Sequence, residues 1–233
     1  MHAHEDLPLM FGEISPTYRL LNSLLSFGID RIWRKKLVSA MPRNLQSIVI
    51  DVSTGTADIP VILHKMQYSR ITGVDPSEKM LTIAKKRIEK LNSPNNIELI
   101  CAGAENIPIA GNSADVVTVA FGVRNFDNLQ QGFNEVFRIL KNNSHFLILE
   151  FSLPQNTVLR ILYKAYLYVV LQFFGGIISG NFAAYRYLRK SIIRFTENCD
   201  LVKELEGTGF TNIAKQNLTG GIVSIYTAEK QSD

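Results

Sequence analysis

Cysteine is nearly missing from this chain: Cys101 and Cys199 are the two among 233 residues, with no CxxC spacing and no histidine pattern beside them. That excludes a disulfide framework or a zinc cluster as the organising feature and fits a reducing cytoplasm. A strong excess of one charge is missing too, since the net charge is +4 and Lys and Arg are scattered among acids. No basic stripe is present to follow a nucleic acid. The longest uncharged run, Ala165 to Asn181, contains Gln172 and a glycine pair and falls short of a convincing membrane span. Met1-His2-Ala3-His4-Glu5-Asp6 carries neither the basic flank nor the apolar run of a secretory signal, so a short frayed end is expected. The tightest basic groups are Arg31 with Arg34-Lys35-Lys36 and Arg186 with Arg189-Lys190. They lie beside apolar helical segments and read better as solvated helix faces than as sites for anionic lipid.

What is present is an ordinary globular composition, 46% hydrophobic and 20% charged, enough to bury a sizeable core in one domain. Apolar residues recur at three and four from Ser15 to Met41, interrupted at Gly28, which predicts N-terminal helices over roughly residues 1–45. Short β-branched runs then alternate with helical patterns: strands at Gln46–Asp51, Ile71–Asp75, Ile97–Cys101, Asp115–Ala120 and His145–Phe151, helices at Asp58–Tyr68, Ser77–Leu91 and Leu129–Leu140. Such alternation implies crossover units and a parallel sheet, an α/β fold. The most apolar stretch, Thr157 to Gly180, is expected as a buried or interfacial helix. Cys199–Glu206 reads as a helix, and strands near Asn212–Gln216 and Ile222–Ala228 as a closing hairpin. Residues 46–151 thus form one half and 152–233 another, within a single domain.

Asp51-Val52-Ser53-Thr54-Gly55-Thr56-Ala57-Asp58 follows the first strand and opens a helix, where an open α/β sheet binds its ligand. Gly55 permits the tight turn, and Asp75, twenty residues on, ends the second strand where it can accept from both ribose hydroxyls. A dinucleotide needs G-x-G-x-x-G at such a turn. Here the three positions are Gly55, Ala57 and Pro60. Asp58 stands where a pyrophosphate would rest and would repel it, whereas Asp51 and Asp58 would attract the sulfonium and ammonium of S-adenosylmethionine. The competing structural reading makes Asp58 a helix N-terminal acid and Asp75 an N-cap. The turn after the third strand, Cys101-Ala102-Gly103-Ala104-Glu105, offers a backbone pair to an adenine edge.

Taken together, Ser15-Pro16-Thr17-Tyr18, Gly28-Ile29-Asp30-Arg31 with Trp33-Arg34-Lys35, Gly55-Thr56-Ala57-Asp58, Phe121-Gly122-Val123-Arg124-Asn125, Leu149-Glu150-Phe151-Ser152, Ala184-Tyr185-Arg186-Tyr187-Leu188 and Asn217-Leu218-Thr219-Gly220-Gly221-Ile222 resemble the ubiquinone/menaquinone biosynthesis C-methyltransferase family along nearly the whole chain. The glycine turn is generic to methyltransferases; Phe-Gly-x-Arg-Asn and Asn-Leu-Thr-Gly-Gly are specific to the family. Two departures stand out. Leu140-Lys141-Asn142-Asn143-Ser144 replaces a Leu-Lys-Pro-Gly-Gly turn, expected to change only loop stiffness, and Ala120 stands where some relatives carry serine.

The resemblance implies a class I methyltransferase fold with a seven-stranded, mostly parallel sheet and a helical substrate-side insertion. It implies S-adenosylmethionine as methyl donor, no metal, and Thr56, Asp75 and Gly103-Ala104 as cofactor contacts beside Asp51 and Gly55. Arg124 and Asn125 become the expected catalytic pair, the guanidinium stabilising a phenolate and the amide orienting the hydroxyl or a water. The bland alternative for Arg124 is a salt bridge to Asp127 or Glu135. Tyr18 and Asp30 are candidate substrate contacts. The implied acceptor is a polyprenyl quinol: demethylmenaquinol first, a polyprenyl methoxybenzoquinol second. An idle adenosyl-ligand-binding protein is the alternative of another class, and a nicotinamide dehydrogenase is weaker still. A long isoprenoid tail would give Val158–Ile178 a purpose, as roof of a greasy channel or as a foot on the inner face of the cell membrane, with core packing equally weighted. Homodimerisation is left open.

Overall fold

The computed structural model describes residues 28–92 and 94–232. Five strands, β1 (Ile48–Val52), β2 (Arg70–Asp75), β3 (Ile97–Cys101), β4 (Ala114–Ala120) and β5 (Leu140–Phe151), run parallel. β7 (Val223–Lys230) lies antiparallel to β5, and β6 (Thr211–Leu218) antiparallel to β7, giving the sheet order β3-β2-β1-β4-β5-β7-β6. The expected α/β sheet and closing hairpin are both present. Parallel strands need crossovers, and α2 (Asp58–Lys65), α3 (Glu78–Ile88) and α4 (Leu129–Ile139) lie on the connections between consecutive strands.

Successive residues of a strand face opposite sides, so a sheet covered on both faces reads as an unbroken apolar run. Ile50, Phe146 and Ile148 join one core with Phe133 of α4, while Val49, Leu147 and Leu149 join the other with Trp33 and Leu37 of α1 (Ile29–Ser39). Each such side chain contributes on the order of 1.5–3 kcal/mol by leaving water. Phe133 meets Phe126 and Phe146 edge-on at 6.4 and 5.6 Å.

Two segments depart from the sequence reading. Leu140–Ser144 is not a loop: β5 begins at Leu140, paired with Ala114, and a register irregularity between Ala114 and Val116 absorbs the asparagines, Asn143 taking a left-handed φ of 57°. The apolar stretch keeps its expected bounds but is more like a membrane span than its sequence suggested. α5 (Thr157–Tyr166), a π-helical stretch (Leu167–Phe174) and α6 (Gly175–Ser179) continue one another, and Thr157–Ile177 reaches the length and hydropathy of a membrane span. The glycine pair does not break the helix; it makes room for neighbouring rings, since a Cβ on Gly175 would lie 2.6 Å from the Tyr185 ring and one on Gly176 2.3 Å from Phe182. Both rings belong to α7 (Phe182–Asn198), capped by Asn181 and absent from the sequence expectations. α8 (Leu201–Thr208) leads to β6. Tyr163, Leu167, Leu171, Tyr185, Leu188 and Ile192 form a separate apolar cluster between these helices.

The order of strands reverses between β1 and β4, opening a crevice at their carboxyl ends. The residues just past both strands, Ser53 and Phe121, have φ of 55° and 62°. Left-handed backbone costs such residues about 1–2 kcal/mol each. Strain of this kind collects at functional sites.

Candidate active site

Two cavities meet at this crevice. The polar one, about 180 Å³, is lined by Asp51, Gly55, Thr56, Asp75, Gly103 and Ala104 among others. Every cofactor residue expected from the sequence therefore gathers on one wall. The apolar one, about 340 Å³, is lined by Trp33, Phe121, Phe151, Tyr163, Leu167 and further residues of α5 and α7. Arg34 and Phe121 line both.

In the polar cavity Asp75 closes β2 and holds the glycine turn: its Oδ2 accepts from the Gly55 amide at 2.8 Å and its Oδ1 from the Ser77 amide at 2.9 Å. Ser77, not Asp75, is the N-cap of α3. Burial pushes the Asp75 carboxyl up, and the two amides draw it back. Each oxygen keeps a further lone-pair site for a ligand hydroxyl. Asp51 is buried beneath the turn and accepts from Thr54 Oγ1 and Thr118 Oγ1, both at 2.6 Å. Burial raises its carboxyl to about 7, opposed by the two hydroxyls and by the Arg34 charge.

Asp58 requires a correction. It is not held open for a ligand cation: Arg87 Nη2 lies 2.9 Å from Oδ1 and Arg34 Nε 3.8 Å from Oδ2. Its charge is spent on those guanidiniums, and the case for a cationic ligand passes to Asp51. Arg87 also donates to the Thr56 hydroxyl at 3.0 Å and to the Thr56 carbonyl, locking the helix entry. The far wall comes from β4: a Cβ on Gly122 would lie 2.4 Å from the Ser53 Cβ, so only glycine lets the two loops approach.

Arg124 sits in the single 3₁₀ turn Val123–Asn125 after β4. Its Nη1 donates to Glu150 Oε1 at 2.8 Å and to the Phe121 carbonyl at 2.5 Å. The side chains of Arg124 and Glu150 are 1% and 0% exposed, and the guanidinium lies 5.3 Å from the centre of the Phe151 ring. The partner is thus neither Asp127 nor Glu135; Glu135 binds Arg138 at 2.8 Å. Arg124 faces the apolar cavity while Asn125 faces the polar one, where its Oδ1 accepts from Tyr187 at 3.3 Å. The pair straddles the boundary.

Asp30 lines the apolar cavity and binds Arg34 at 2.7 Å. Tyr18 lies outside the described residues. The Asn217–Ile222 segment closes the same cavity. Trp33 Nε1 donates to Thr219 Oγ1 at 2.8 Å, and Ser152 Oγ donates to the Gly221 carbonyl at 2.7 Å. Thr219 has a φ of 47°. Sequence reasoning missed Glu150, Tyr163, Phe121 and Arg34. The available signal for Glu150 was an acid ending a strand otherwise buried on both faces, which needs a cation. Among the described residues no cluster of three or more His, Cys, Asp or Glu is placed to hold a metal ion.

The chain is similar to known proteins over nearly its whole length. The ubiE/COQ5 methyltransferase family matches residues 3–230. The ubiquinone/menaquinone biosynthesis C-methyltransferase UbiE of Geotalea daltonii is 38% identical over 228 residues, 97% of each chain. The demethylmenaquinone methyltransferase of Bacteroides fragilis is 33% identical over 227 residues, 97% of this chain and 93% of that one. A putative S-adenosyl-L-methionine-dependent methyltransferase from Methanococcus maripaludis superimposes with a TM-score of 0.66 at 20% identity, covering 94% and 93% of the two chains. The fold is that of class I S-adenosylmethionine-dependent methyltransferases. With that fold and matches of such length, this chain belongs to the ubiE/COQ5 methyltransferase family.

Proposed function

We propose that this enzyme methylates a ring carbon of a polyprenyl quinol, demethylmenaquinol in the first instance, at the junction of the two cavities. The observation that carries the reading is the pairing of a carboxylate-lined polar cavity with an apolar one holding a buried guanidinium. Three observations support S-adenosylmethionine in the polar cavity: the Asp75 carboxylate at the end of β2 suits a ribose, the buried Asp51 carboxyl suits a cation, and Gly122 lets the Ser53 loop close against the end of β4 to form the cavity wall. Bound there, the cofactor supplies an electrophilic methyl group.

The chain's own residues do the rest. Trp33, Phe121 and Phe151 form an aromatic wall, with ring centres 6.1 and 4.7 Å apart in succession, against which a planar ring can lie. A ring carbon is a weak nucleophile until its phenol, of reference pKa about 10, gives up a proton. Arg124, fixed by Glu150 and the Phe121 carbonyl, offers that oxygen a preorganised positive charge in an apolar surround. Asn125, held by Tyr187, orients the hydroxyl or a water on the cofactor side. Positioning across the Phe121 wall supplies much of the remaining acceleration.

The name of the Bacteroides fragilis relative supports the naphthoquinol; the name of the Geotalea daltonii relative, which includes ubiquinone, keeps the benzoquinol as second reading. Anaerobic transfer of labelled methyl to each quinol decides: label in neither sinks the proposal. We further propose that the protein works at the inner face of the cell membrane. Val158, Ile161, Leu162, Tyr168, Val169 and Phe173 are all exposed on one helical run, and Leu162 also lines the apolar cavity, so the cavity reaches an apolar surface. An exposed apolar patch marks an interaction site. Liposome flotation of the native protein against Ile161→Ser/Phe173→Ser tests it; a native protein that stays in the aqueous layer refutes it.

A further inference from the structure

Among the described residues, a buried hydroxyl on the wall of the apolar cavity has no hydrogen-bond partner. Tyr163, on α5, is buried and forms part of the cavity wall, yet its hydroxyl has no hydrogen-bond partner among the described residues. A buried hydroxyl without a partner is costly, and native folds rarely tolerate one without a reason. Packing does not supply the reason. The ring stacks on Tyr166 at 6.3 Å with 12° between planes, and its neighbours Leu167, Leu171 and Leu188 are apolar, so phenylalanine would fill the same space.

The surroundings point to a ligand. The hydroxyl lies within electrostatic reach of the Arg124–Glu150 pair, the charged feature to which the quinol reading assigns the reacting oxygen. Burial, with the neighbouring Tyr166, pushes its ionisation far above the ordinary tyrosine value. Tyr163 therefore keeps its proton at every working pH and donates. The other polar groups on the cavity wall are mostly committed: Arg34 to Asp30, Arg124 to Glu150, Thr219 to Trp33.

We infer that Tyr163 is a substrate-positioning residue whose hydroxyl donates a hydrogen bond to a ring oxygen of the quinol and so fixes which edge of the ring faces the Phe121 boundary. The assignment rests on the quinol reading above. It deepens that reading by dividing the labour: Arg124 stabilises charge, and Tyr163 sets orientation.

The test compares Tyr163→Phe with wild type in three measurements. The first is methyl transfer to prenylated naphthoquinol. KM for the quinol is expected to rise roughly tenfold, the ordinary worth of one such hydrogen bond, with KM for S-adenosylmethionine unchanged. The second is affinity for the quinol and for a prenylated naphthalene lacking both ring oxygens. Wild type should prefer the quinol, and the variant should lose most of that preference while binding the deoxy ligand as well as before. The third is thermal stability without ligands, expected unchanged or raised because an unsatisfied hydroxyl has gone. A variant that keeps wild-type KM and ligand preference overturns the assignment. So does a melting temperature lowered by several degrees, which would mark the hydroxyl as structural. If wild type transfers label to neither quinol, the quinol reading and this assignment fall together; if both proteins transfer alike, the assignment alone falls.

Discussion

Removing the carboxylate of Glu150 strips the counter-ion from a guanidinium that has almost no access to water. In Glu150→Ala, Arg124 Nη1 loses an acceptor at 2.8 Å, and the amides of Phe151 and Arg124 lose theirs at 2.9 and 3.4 Å. Breaking a buried pair from one side costs about 3–5 kcal/mol, against a total stability on the order of 5–15 kcal/mol. At about 2–4 °C per kcal/mol for a chain of this size, the melting temperature should fall by roughly 6–20 °C. Urea unfolding measures the loss, with an unchanged slope confirming that the folded state is still compact. The companion variant Arg124→Met/Glu150→Gln replaces the pair by groups of similar volume and keeps an acceptor for the Phe151 amide. It should return to within about 1–2 kcal/mol of wild type, with turnover down by roughly 10²-fold or more and cofactor affinity retained. Two results refute the reasoning: Glu150→Ala within about 1 kcal/mol of wild type, or a double variant that methylates at the native rate.

Asp51 makes the apo protein pH-sensitive. Its carboxyl stands at about 7 when folded against 3.8 ordinarily, so its stabilising effect is complete below about pH 4 and fades as pH rises through 7, by no more than about 1.4 kcal/mol per pH unit. Denaturation of wild type and Asp51→Asn at pH 5 and 8 should show that slope only in wild type. The ionised form attracts a cation, so calorimetric affinity for S-adenosylmethionine should climb between pH 6 and 8 and be flat in Asp51→Asn. Asp75→Ala removes the carboxylate proposed to receive the ribose hydroxyls, together with the acceptor of the Gly55 amide, and should weaken cofactor binding roughly 10- to 100-fold. Gly122→Ala forces the Ser53 and Phe121 loops apart, since the new carbon would lie 2.4 Å from the Ser53 Cβ; a reduced cofactor affinity at nearly native melting temperature is expected.

Much of the donor side was legible because a parallel sheet constrains it. Once β1 and β2 were recognised as buried strands, Gly55 and Asp75 had to fall at the carboxyl edge, and they do. The acceptor side was less so. Arg124 was identified, but local reasoning offered Asp127 and Glu135, whereas its partner is 26 residues away on the neighbouring strand and meets it only because β4 and β5 pair in register. The family resemblance made Leu140–Ser144 a turn before the strand, yet β5 already begins at Leu140 and Asn142-Asn143 lie within a register irregularity of it. The helix Phe182–Asn198 escaped notice because charges interrupt its apolar spacing; its cap at Asn181 and the buried series Ala184, Leu188, Ile192 were there to be read. Tyr163 looked like any aromatic in an apolar run, because an absent bond leaves no trace in a sequence.

The π-helical stretch Leu167–Phe174 bears on how such an enzyme changes its diet. Leu167 and Leu171 from it line the apolar cavity, and a π-helical turn holds more residues than an α-helical one. Deleting one residue would tighten the stretch toward α-helical winding and change which side chains face that cavity, whereas none of its residues lines the polar cavity. Under the proposed quinol reading, the wall that would meet the prenyl tail can change its outline without altering the Gly55 turn after β1 or Asp75 at the end of β2.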